Sequence, residues 1–161
     1  MKYGDSLYRA AVYRLSVVSR AFALVIPHEL APASEAPSSL EELQGMWATR
    51  HRIVVSRDHC ETSIHATPRS NAEFRVWRAW RHLTTGAPFY CEGGSAVFLA
   101  QARDLRAFSG PFSCARREED AAVHLLRCEI LGQLDHLERT GEFFPPDQRE
   151  FTAQWLIDNP L

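Results

Sequence analysis

The sequence predicts an α+β domain, with a small, mainly antiparallel sheet of about four strands packed with four to five helices behind an N-terminal helical arm. Three observations lead there. Apolar residues recur at helical spacing in several stretches; short β-rich runs such as HRIVVS and SAVFLA lie between glycine or polar breaks; one Pro/Ala/Ser tract divides the chain. With 161 residues, 45% of them hydrophobic, one core is expected and two are not. The division read from this is 1–38, an amphipathic helix and its linker, and 39–161, a single α+β domain.

The first helix is read from YRAAVYRLSVVSRAFALVI, where Arg9, Arg14 and Arg20 interrupt the apolar residues. No continuous apolar core of a signal peptide results, and FALVI is far too short to span a bilayer. LAPASEAPSS at 30–39 follows as the linker. Ser39 with Glu42 forms a capping box for a helix through about Trp47. HRIVVS and CETSIHAT, separated by Arg57, Asp58 and His59, read as a β-hairpin.

Ser70 with Glu73 reads as a second capping box, opening a helix that runs to Leu83 and ends before Gly86 and Pro88. PFYCEGG and SAVFLA read as two further strands around the Gly93-Gly94 turn, and QARDLRAF as a short helix. A long helix is expected from about Arg117 to Thr140, stopped by Gly141. Its interior Gly132 calls for a close neighbour, either the N-terminal helix or a second subunit, which makes a homodimer an expectation. Pro146 suits the start of a last helix carrying Phe151 and Trp155.

Seventeen arginines stand against one lysine, Lys2, a bias that fits GC-rich coding and a bacterial source. Charge is also unevenly distributed. Residues 50–83 hold seven Arg against Asp58, Glu61 and Glu73, whereas residues 118–161 hold ten acids against three Arg. A basic middle suits nucleic acid or an acidic protein partner, since guanidinium groups grip phosphate and carboxylate bidentately.

On the 70–83 helix, Phe74, Arg75, Arg78, Arg81 and His82 fall on one side, opposite Val76, Trp77, Ala79 and Trp80. A ring among guanidinium groups can stack a base while charge holds the backbone. The nucleic-acid-binding set is therefore Arg50, Arg52, Arg57, Arg69, Phe74, Arg75, Arg78 and Arg81. RNP, zinc-finger and P-loop patterns do not occur in the sequence.

The catalytic candidates are His59, Glu61 and His65 on the hairpin, which could serve a metal-independent phosphodiesterase or ribonuclease as acid, base and phosphate-binding groups. Strand alternation puts Cys60, Thr62, Ile64 and Ala66 on one face and Glu61, Ser63, His65 and Thr67 on the other, which parts Cys60 from His65. His124 and Cys128, four apart, could share a metal with Cys114 as a conceivable third ligand, yet cysteine on a leucine-rich face is ordinarily core. No metal site and no cofactor are expected. Cys91 before Gly93 lacks the strand-turn-helix context of a nucleophile. Four cysteines without a CxxC pair suit a reducing, cytoplasmic setting.

The combined expectation is a non-enzymatic bacterial accessory protein of the cytoplasm, without a membrane span, binding nucleic acid or a nucleoprotein complex through its arginine and aromatic face. The alternatives are the hairpin phosphodiesterase and a protein-interaction inhibitor acting through the acidic C-terminal helices, with Asp147, Glu150 and Asp158.

Overall fold

A computed structural model describes residues 1–61, 63–108, 116–142 and 147–161, with the backbone alone for Cys91 and Glu92. Thr62, Cys114 and Pro146, which entered the sequence-based expectations, lie outside the described residues.

The chain is mostly helical, with 70% of the described residues in helices and a sheet of two parallel strands, which corrects the expected four-stranded antiparallel sheet. Helix α1 spans Ser6–Val25 and starts at Asp5, whose carboxylate accepts from the Tyr8 amide at 2.7 Å. Tyr8, Ala11, Val12, Leu15, Val18 and Ser19 form its buried stripe.

Strand β1, His28–Ala31, then lies in the region read as the start of the linker. It pairs in parallel with β2, Ile53–Ser56, from His28 opposite Ile53 to Ala31 opposite Ser56. Within HRIVVS the last four residues form a strand, but its partner lies upstream. The expected return strand CETSIHAT is a bent segment instead. Helix α2, Leu40–Arg50, joins the two strands as a right-sized crossover. Its predicted cap is present: Ser39 Oγ accepts from the Glu42 amide at 3.2 Å, and the Glu42 carboxylate accepts from the Ser38 amide at 2.7 Å.

Helix α3, Pro68–Thr85, begins two residues before Ser70, because Thr67 is the cap and Pro68 takes the first helical position. Gly86, at φ 67°, ends it in the left-handed conformation. This is the central helix: α1, α2, α4 and β2 all pack on it. Phe74 and Trp77 enter one apolar core with α1 and α5, while Val76 and Ala79 enter a second with Ile53 and Leu43.

Helix α4, Cys91–Ala107, replaces the two expected strands and the short helix. The glycines read as a hairpin turn have a different use. A Cβ on Gly93 would stand 1.8 Å from the Pro88 carbonyl oxygen, and one on Gly94 would stand 2.0 Å from Leu134 Cδ1. They let a helix approach its neighbours closely, and the run AVFLAQARDLRA after them is rich in good helix formers.

The long acidic helix is divided. Helix α5, Arg116–Arg127, passes through a π-helical turn, Cys128–Gly132, into α6, Gln133–Thr140. Gly132 is approached by Trp155 of α7, Gln148–Asp158, whose indole Nε1 would lie 2.9 Å from an added Cβ. The close neighbour inferred for Gly132 is thus α7, neither the N-terminal helix nor a second subunit. Among the described residues no helix is long and apolar enough to cross a membrane.

Candidate functional site

Helix α3 presents Asn71, Phe74, Arg75, Arg78, Ala79 and His82 at i, i+3, i+4, i+7, i+8 and i+11, a single stripe along its length. This stripe lines a cleft of about 220 Å³. Val54, Val55 and Ser56 of β2 supply one wall, and Phe89 and Tyr90 lie on another. Facing α3 are three polar side chains: Glu129 from the π turn, Gln133 from α6 and Gln148 from α7. An extra residue per turn rotates a π segment relative to the helices flanking it, and such turns recur at functional sites.

Two charged groups in the cleft are incompletely partnered. Arg78 is half-buried and makes no hydrogen bond or ion pair with a described residue. Glu129 is 4% exposed, and its Oε1 is buried without a hydrogen-bond partner. Burial pushes the Glu129 carboxyl up to about 7, while the positive charge of Arg78 and a hydrogen bond from Gln133 oppose the shift without cancelling it. Burial likewise lowers the Arg78 guanidinium, with Glu129 opposing. Near neutral pH the Glu129 carboxyl is therefore divided between a form that donates a hydrogen bond and a form that only accepts.

His82 borders the cleft as a fixed, neutral ring. Burial lowers it to about 4, and its Nδ1 lies 3.0 Å from the Ala87 carbonyl oxygen, to which it donates. Phe89 packs on it with ring centroids 4.6 Å apart.

The arginines expected to bind nucleic acid are dispersed to different tasks. Arg75 donates through Nε to Asn71 Oδ1 at 2.9 Å, and through its terminal nitrogens to the carbonyls of Ser56, Asp58 and His59 at 2.9, 2.7 and 3.1 Å. It ties the loop after β2 to α3. Arg81 makes a two-pronged pair with Asp104, which also accepts from the Trp77 indole at 2.8 Å, and its guanidinium stands 5.1 Å from the Phe22 ring centroid. Arg69 pairs with Glu73 at 2.9 Å and Arg52 with Glu29 at 3.7 Å. Arg50 and Arg57 are exposed without an ion pair to a described residue.

Phe74, the expected stacking platform, is 4% exposed and packs between His65 and Trp77 at centroid distances of 4.7 and 6.1 Å. Its ring is closed to a base, because α3 is covered on more than one side.

His59, Glu61 and His65 are not assembled as a hairpin face. His59 and Glu61 are exposed, His59 in the left-handed conformation at φ 56°. His65 is buried with both ring nitrogens unpartnered, and burial holds it down to about 4. The strand alternation that separated Cys60 from His65 does not occur, and both side chains are buried.

The possible metal pair is also parted. His124 Nε2 lies 2.8 Å from the Asn159 carbonyl oxygen, while the buried Cys128 thiol is 3.8 Å from Thr152 Oγ1.

Sequence reasoning missed Glu129, Gln133 and Gln148. A signal for the first was present, since Glu129 sits on the same apolar stripe as Leu125 and Gly132, where a carboxylate is out of place. No protein-family model, no curated protein and no solved structure matches this chain.

Proposed function

We propose that the chain is a binding protein for a small oxyanion, a carboxylate or phosphate carried on an apolar body. The observation that carries this reading is Arg78, a half-buried cation lining an open cleft with no ion pair to a described residue, beside a carboxyl group whose Oε1 lacks a partner. A cation in that position is stabilised by an anion from outside, and buried polar groups without partners are otherwise uncommon.

The oxyanion sits against the Arg78 guanidinium, with protonated Glu129 as a second donor, and the apolar body lies along Phe89, Val54 and Ala79. Binding therefore takes up a proton when it occurs near or above pH 7, and affinity falls as pH rises through the Glu129 titration. Two buried thiols among the described residues, Cys60 and Cys128, suit a reducing compartment such as the cytoplasm.

Calorimetric titration with benzoate and phenyl phosphate, using benzylamine as the cationic control, tests the reading. At least one of the two anions is expected to bind at pH 6, more weakly at pH 8. Arg78→Gln is expected to weaken binding by about tenfold to a hundredfold, as for loss of a charged hydrogen bond. Equal binding of benzylamine, or anion binding indifferent to Arg78→Gln, would overturn it.

A further inference from the structure

A second, larger depression lies along the exposed side of α5, away from the α3 cleft, between α4 and the last residues of the chain. Its volume is about 870 Å³. Four arginines line it: Arg106 from the last turn of α4, and Arg116, Arg117 and Arg127 from α5. Asp120 is the acid among the lining residues. This concentration is hidden in the sequence, because these arginines are interleaved with Glu118 and Glu119 at the head of an acidic third of the chain.

The helix brings most of these arginines to one side. Arg116, Asp120, His124 and Arg127 stand at i, i+4, i+8 and i+11, one face of α5, with Arg117 beside them. Glu119 lies off this row and pairs with Arg14 at 3.5 Å and with the groove-lining Arg106 at 4.0 Å, so the cations left for a ligand are on α5. Arg116, Arg117 and Arg127 are exposed and make no ion pair with a described residue. Burial lowers His124 below the ordinary histidine value, against the opposing hydrogen bond to the Asn159 carbonyl, so the positive charge of the groove rests on the arginines.

We infer that this groove is a binding site for the sugar-phosphate backbone of single-stranded nucleic acid. The inference is independent of the oxyanion cleft. Arg116 and Arg127 are separated by about 16 Å along the helix axis, and a stacked strand places a phosphate about every 3.4 Å along its own axis, so several phosphates meet the row. Guanidinium groups suit phosphate oxygens by their forked donors. The half-buried Phe98 lines the same groove and offers ring surface against which a base can rest. A shallow groove lined by arginines from two helices fits a flexible strand better than a broad flat membrane surface.

Fluorescence anisotropy of labelled oligothymidylate and oligouridylate of about a dozen nucleotides, at about 50 and 200 mM salt, tests the site. The wild-type chain is expected to bind in a salt-sensitive manner. The triple variant Arg116→Gln, Arg117→Gln, Arg127→Gln is expected to bind at least about tenfold more weakly, with a salt slope lower by about 2.

The double variant Arg50→Gln, Arg57→Gln should bind as the wild type does. Because all five side chains are exposed, unchanged melting curves are expected and separate loss of binding from loss of fold. Absence of salt-sensitive binding by the wild type, full binding by the triple variant, or equal loss in the double variant overturns the inference. So does sedimentation with phosphatidylglycerol vesicles in place of oligonucleotide binding. Benzoate binding by the triple variant should persist, which keeps this test apart from that of the α3 cleft.

Discussion

Arg75, Arg78 and Arg81 follow one another at three-residue spacing on α3, in the same residue type and the same helix, yet they have different work. Arg75 donates to the carbonyl at the end of β2, to two in the loop after it and to Asn71, and Arg81 is locked to Asp104 and lies over Phe22. Arg78, one turn from each, faces the cleft, feels the Glu129 carboxyl electrostatically and makes no hydrogen bond with a described residue. The outer two hold the fold together, and the middle one is the group to which the proposed oxyanion binding is assigned. Helical spacing assigns each arginine an azimuth, but the neighbouring element decides whether that azimuth meets a carboxylate, a row of carbonyls or a cavity.

The largest effect is expected where the engaged end of this comparison is broken. Asp104→Ala removes the acceptor of both Arg81 and the buried Trp77 indole, leaving a cation and an N–H group without partners. It should cost about 3 to 4 kcal/mol in urea unfolding, as removal of one partner from a largely buried pair does. A loss below about 1 kcal/mol would place the pair with ordinary surface contacts.

Next comes a matched pair of substitutions on the same helix. Arg75→Gln should lose about 2 to 3 kcal/mol and expose the segment after β2 to proteolysis, because several charge-assisted hydrogen bonds go together. Arg78→Gln should change stability by less than about 1 kcal/mol while abolishing most oxyanion binding. Similar destabilisation by both would erase the distinction between them.

A smaller effect depends on pH. Glu129 has its folded value raised from 4.5 to about 7, so the folded chain holds a proton that the unfolded chain releases first. Its stabilising state is fully present below about pH 4.5 and is lost as pH rises through about 7. Glu129→Gln keeps the neutral shape and should be more stable than the wild type by about 3 kcal/mol at pH 8. The two curves should converge near pH 5. A constant gap across this range would mean that the carboxyl is not the group responsible. Neutral buried histidines contribute to the acid limb common to both, since His65 and His82 are each lowered to about 4 and must charge as pH falls.

Much of the helix punctuation is legible in the amino-acid order itself. The cap at Ser39 with Glu42 works within four residues, and Gly86 and Gly141 end their helices at positive φ as glycine alone does freely. The amphipathic stripe of α1 is equally clear, and HRIVVS reads as the strand it forms. Misreadings arise where a residue has two uses. Gly93 and Gly94 read as a turn but serve close helix packing, and Ser70 with Glu73 resembles a cap while Thr67 holds that place.

For the cleft, helical periodicity groups Phe74, Arg75, Arg78, Arg81 and His82 on one face; four of them line the cleft while Arg81 pairs with Asp104, and periodicity says nothing of what surrounds them. Phe74, expected among exposed arginines, is a core ring. Glu129 stands in plain sight as an acid on an apolar stripe, yet nothing local says that a π turn carries it opposite Arg78.

Where most helices begin and end, and which side chains share a helix face, are therefore matters of local sequence, because caps, glycine stops and 3.6-residue periodicity act over a few neighbouring residues. The parallel pairing of β1 with β2, the partners of each arginine and the meeting of Arg78 with Glu129 are settled by tertiary packing alone. Those contacts join segments far apart along the chain, and their energies depend on burial and on what is packed opposite, which no short window of sequence contains.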